Sequence, residues 1–79
     1  MNSIVWSNGA GIVVVQHPAV GGIPHRPYLV MRGKRYDHPE DVPNPRAARV
    51  FARRIRRSES ETLQLFRSRL ERHGIYLPH

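Results

Sequence analysis

Six of the seven prolines fall between residues 18 and 45, and they decide where regular structure can run. Proline has no backbone N–H and a fixed φ, so it breaks a helix interior and is kept out of central strands. Residues 17–27, "HPAVGGIPHRP", hold three prolines and two glycines, and residues 38–45, "HPEDVPNP", hold three more prolines. Both stretches read as connectors, the first a long loop for so small a domain. The rest of the chain divides into a β-branched portion before residue 37 and an arginine-rich portion after residue 45 whose one proline is Pro78.

The first portion reads as strands. "SIVW" (3–6) is short and apolar, and "NGAG" (8–11) is a turn cluster whose Asn-Gly step suits a tight hairpin. "GIVVVQ" (11–16) is β-branched without alternation, the pattern of a central strand covered on both faces. The simplest hairpin pairs Ile4–Trp6 with Ile12–Val14. "YLVMR" (28–32) is a third strand, and Gly33-Lys34 is a two-residue turn returning through "RYD" (35–37). The lone Trp6 is expected in the core.

The second portion reads as helices. Asn44 is a good N-cap and Pro45 fits the first helical position. Advancing 100° per residue, Ala47, Ala48, Phe51, Ala52 and Ile55 share an arc of about 140°. Arg46, Arg49, Arg53, Arg56 and Arg57 share the opposite arc, with Val50 and Arg54 between. One amphipathic helix over 45–57 explains both stripes. "SESE" (58–61) then offers a capping box, Ser58 with Glu61, that starts a second helix over 59–73. Leu63, Phe66 and Leu70 share a face of it, and Gly74 is placed for a left-handed stop. A single bent helix over 45–73 is the alternative, since no glycine or proline intervenes. The expectation is one α+β domain, 1–79. An antiparallel sheet of three to four strands (1–37) and a connector (38–45) are followed by two helices on the sheet and a tail (74–79).

Seventy-nine residues bury only about 60% of the surface that the unfolded chain exposes. The chain has no cysteine, so neither a disulfide nor a thiolate–metal site reinforces that small core. The N-terminal stretch has no basic n-region, and its longest apolar run is far too short to span a bilayer. A soluble, cytoplasmic protein without membrane contact is expected.

The net charge of +7 is concentrated in the second portion. Residues 46–57 hold Arg46, Arg49, Arg53, Arg54, Arg56 and Arg57 with no acid among them. Twelve of the thirteen cations are arginine, whose planar fork matches phosphate and carboxylate. A solvated helix face usually mixes signs, because opposite charges at i,i+4 stabilise a helix and like charges cost a few tenths of a kcal/mol each. An unmixed arginine row opposes local stability, which points to an anionic partner. Arg32, Lys34 and Arg35 around the "RGKR" turn form a second, smaller basic set.

No catalytic pattern accompanies this charge. The five histidines lie beside prolines or near the C-terminus without the i,i+4 spacing of helical zinc ligands. His38 has acids nearby in "DHPED", but there is no nucleophile motif and no phosphate-cradling glycine loop. No enzyme, metal, cofactor or small-molecule substrate is expected. The leading expectation is a non-enzymatic regulatory protein binding nucleic acid through Arg46, Arg49, Arg53, Arg56 and Arg57, with Arg32, Lys34 and Arg35 as a second contact. The alternative is a phage- or mobile-element-type inhibitor docking on a host nucleic-acid-processing complex, RNA polymerase or a CRISPR effector. That inhibitor would use the 17–27 loop with Val20, Ile23 and Leu65. A third possibility is a homo-oligomer, for which Leu65 lies off the Leu63–Phe66–Leu70 face. The oligomeric state is open.

Overall fold

In the computed structural model, which describes residues 3–78, the chain is α+β. Strands β1 (Ser3–Ser7), β2 (Ile12–Gln16), β3 (Tyr28–Met31) and β4 (Lys34–Tyr36) form an antiparallel meander in chain order. A single 3₁₀ turn (Pro39–Asp41) leads into α1, Pro45–Arg72. No helix among the described residues is long and apolar enough to cross a membrane.

The turns explain the registers. Asn8 closes the first hairpin, its Oδ1 accepting from the backbone N–H groups of Ala10 (2.8 Å) and Ile12 (3.0 Å). The turn over 8–11 is as expected, but the register lies one to two residues off the expected pairing of Ile4–Trp6 with Ile12–Val14: Ile4 faces Val15 and Trp6 faces Val14, with Val5 as a bulge between them. The second hairpin turns on Arg32-Gly33, one residue earlier than expected, with Met31 paired to Lys34. Arg32 (φ 52°) and Gly33 (φ 74°) are both left-handed, the requirement of a type I′ turn. Arg32 is the single non-glycine with positive φ among the described residues, a conformation costing an L side chain about 1–2 kcal/mol.

The long 17–27 connector carries a ribbon of its own. Val20 and Ile23 exchange two backbone hydrogen bonds of 3.1 Å across Gly21-Gly22. Arg69 donates from Nη2 to the Gly21 carbonyl at 2.7 Å and ties the ribbon to the helix.

The two expected helices are one. The N-cap is as read: Asn44 Oδ1 accepts from the Ala47 N–H at 3.0 Å. The stop is a Schellman motif, with Gly74 N–H to Glu71 O and Ile75 N–H to Leu70 O. Between them "SESE" continues the helix. A capping serine must leave helical geometry and turn its oxygen to the backbone ahead. Ser58 Oγ instead accepts from Gln16 Nε2 of β2 at 3.1 Å, and Thr62 Oγ1 donates back to the Ser58 carbonyl at 2.9 Å. Ser58 is buried at the end of the sheet, so a tertiary hydrogen bond holds it inside the helix.

The core lies between α1 and the sheet face carrying Ile12, Val14, Leu29 and Met31. Val42 drops in from the connector, and Ala47, Phe51 and Ile55 come from the helix. β2 is not covered on both faces. Its far side has no helix, and Val15 is shielded there by its cross-strand neighbours Ile4 and Tyr28.

Every buried residue of α1 lies at or before Ser58. The Leu63–Phe66–Leu70 face does not pack on the sheet, and Leu63 is 69% exposed. Twenty-eight helical residues span about 42 Å, more than the short sheet can cover. The radius of gyration is accordingly 14.9 Å, against about 11.6 Å for a compact chain of this length. The helix overhangs the domain by roughly half its length.

Candidate functional site

The buried face of α1 fixes where its arginines point. With Ala47, Phe51 and Ile55 against the sheet, the directions of Arg46, Arg49, Arg53, Arg56 and Arg57 fall within an arc of about 100° centred opposite the core. All five are exposed. Among the described residues no carboxylate forms an ion pair with Arg46, Arg49, Arg53 or Arg56. Arg57 pairs with Glu61 one turn on, Nε to Oε1 at 3.2 Å, with both side chains solvated. A pair this exposed contributes under about 1 kcal/mol and is displaced at little cost. The row is therefore a helix face about three turns long bearing surplus cation, in low competition from its own chain.

Arg54 is different. It is half-buried, and its Nη2 donates to the Val5 carbonyl of β1 at 2.9 Å. Val5 is the bulge residue, so part of its backbone has left the ladder. Arg54 supplies the missing donor and fastens the helix to β1. Replacing it with methionine is expected to cost about 1.5–2 kcal/mol in urea unfolding, because a charge-assisted bond to a half-buried carbonyl is lost. A change below about 0.5 kcal/mol would show that the bond is ornamental.

Trp6 is not fully in the core. It is half-buried at the core's edge and lines a shallow cleft of about 320 Å³ with Val50, Arg53, Arg54 and Arg57. An aromatic face beside guanidinium groups is the arrangement on which unpaired bases stack. The sequence placed Trp6 in the interior; the signal that it would meet the arginines is Arg54, the one cation between the two stripes.

The structure does not gather Arg32, Lys34 and Arg35 onto one surface. Side chains alternate along β4, so Lys34 lies over the Tyr36 ring at 5.1 Å on the helix side. Arg35 lies over the Tyr28 ring at 4.0 Å on the other side, where it also pairs with Asp37 at 3.0 Å. Arg32 sits at the hairpin tip. It lines a cleft of about 630 Å³ with Gly11, Met31 and Asn44, at the end of the molecule where Arg46 begins the helix row. Arg32 therefore lies near the N-terminal end of α1, and Lys34 and Arg35 lie on opposite faces of β4.

Of the histidines, His17 and His25 meet edge to face at 5.9 Å, with Tyr28 tilted against His17. No group of three metal-ligating side chains occurs among the described residues, and His79 lies outside them. No protein-family model, curated protein or solved structure matches this chain.

Proposed function

We propose that this chain is a non-enzymatic regulatory protein that grips the phosphate backbone of a nucleic acid with Arg46, Arg49, Arg53, Arg56 and Arg57. The observation that carries the reading is the exposed cation row directly across the helix from Phe51 and Ile55, in which only Arg57 forms an ion pair among the described residues. Such a row approaches a polyanion without rearrangement of the fold and releases condensed counterions as it docks. Trp6 beside Arg53 and Arg57 favours a partner with unpaired bases within reach of the backbone contact.

The test is a titration of labelled random duplex DNA and single-stranded RNA at several salt concentrations. If three to five arginines each neutralise a phosphate, log K against log salt falls with a slope of about −3 to −5 on duplex DNA, and somewhat less steeply on single strands. A slope flatter than about −1, or no binding at about 0.05 M salt, sinks the reading. The arginine face would then belong against an acidic groove of a protein complex.

A further inference from the structure

Past Ser58 the helix has no sheet beneath it, yet it remains apolar. Leu63, Phe66 and Leu70 recur at i, i+3 and i+7, the spacing of a seam between two helices. Leu63 is 69% and Phe66 52% exposed. Leu65 and Ile23, the latter on the ribbon held by Arg69, join them around a hollow of about 140 Å³. Val20, the partner of Ile23 across the ribbon, is 68% exposed, so this end of the molecule shows several apolar side chains without a cover.

The charges select the occupant. Residues 46–57 hold six arginines and no acid, whereas residues 59–73 hold Glu59, Glu61 and Glu71 against Arg67, Arg69 and Arg72. A balanced surface fits another balanced surface, and this one has its own complement. Glu59 lies one turn before Leu63 and His73 one turn after Leu70, on the same face. Reversing a second copy end for end sets the Glu59 carboxylate, a hydrogen-bond acceptor, against the His73 imidazole, whose ring N–H donates, at both ends of the seam. It also carries the two arginine rows to opposite ends, about 40 Å apart by helical rise, well beyond the ~8–10 Å over which salt lets them repel. Parallel pairing would stack the rows side by side.

We infer that two copies of this chain pair through residues 59–73 of their helices, antiparallel about a two-fold axis near Phe66. Phe66 meets its own copy, Leu63 of one chain meets Leu70 of the other, and Glu59 faces His73. The interface is isologous, so it closes at two chains. It is independent of what the arginine row binds.

Sedimentation from about 1 μM to about 1 mM tests the pairing. The mass is expected to rise from 9.1 kDa to twice that and no further. Leu63→Glu with Phe66→Glu is expected to hold the chain at 9.1 kDa throughout with unchanged helical circular dichroism, both side chains being exposed in the single copy. A chain that stays monomeric at the highest concentration, passes beyond two, or dimerises equally well as the double variant overturns the inference. The register has its own test, since the native chain has no cysteine. A mixture of Leu63→Cys and Leu70→Cys proteins is expected to form a disulfide-linked pair at least about tenfold faster than either variant with itself, given the short Cα separation a disulfide needs. Faster linkage of Leu63→Cys to itself would mean parallel helices and overturn the antiparallel arrangement.

Discussion

Arg49→Glu combined with Arg53→Glu is expected to weaken nucleic-acid binding on the order of 100-fold at about 0.1 M salt and, in the same protein, to raise the melting temperature. The two effects have one electrostatic source. In the native helix Arg53 stands three and four residues before Arg56 and Arg57, and Arg46 three before Arg49, all of one sign. The reversal converts these three contacts from repulsive to attractive, worth about 1 kcal/mol together and a few degrees in Tm for a domain of this size. The same four-unit change in charge removes two phosphate contacts and sets two carboxylates against the backbone. The salt slope is expected to flatten by about 1.8. Opposite signs make the experiment decisive. A variant that binds poorly because it is unfolded would melt lower. A variant that melts higher and binds as before would show that the arginine row is not the contact surface.

Phe51→Ala is expected to have the largest effect on folding, about 3–5 kcal/mol. Phe51 is fully buried, as are Val14 and Leu29 in the same cluster. The helix meets the sheet through few side chains, so truncation leaves a cavity with little to collapse into it. Total stability for 79 residues is about 4–12 kcal/mol, so the variant is expected to be largely unfolded or to melt at least about 15 °C lower. Phe66→Ala is the control on the same helix. Phe66 is 52% exposed, and at concentrations where the chain is a single copy its loss is expected to change stability by under about 0.5 kcal/mol. Comparable losses at both positions in thermal melts would mean that the overhang is packed in solution against its own domain.

What was legible in the sequence follows from how local each signal is. The strand positions, the Asn44 cap and the Gly74 stop are local, and the structure has them close to where the residues pointed. The two faces of residues 45–57 follow from helical periodicity alone. The fate of Ser58 does not. Whether its hydroxyl caps a new helix or takes a hydrogen bond from Gln16, 42 residues earlier, depends on where the sheet ends, which no local pattern encodes. The same holds for Leu63 and Phe66. Their spacing promises a buried face, but burial needs an element above them, and the four strands are too short to provide it. Periodicity sets Arg54 between the two stripes, but its acceptor, the Val5 carbonyl at the bulge, is 49 residues earlier and out of reach of any local pattern. The "RGKR" cluster fails as a single patch because a strand alternates its faces, which the period of two already implies once the turn is placed on Arg32-Gly33.

The bulge at Val5 also bears on what the molecule avoids. β1 is an open margin of the sheet, with Ile4 and Trp6 on it, and a flat margin of that kind recruits further strands into fibrils. The bulge breaks its regularity, and Arg54 occupies a carbonyl that an incoming strand would need. The opposite margin, β4, is three residues long and carries Lys34 and Arg35. Both borders of the sheet are therefore poor templates for a further strand, although much of the helix beyond Ser58 lacks a hydrophobic cover.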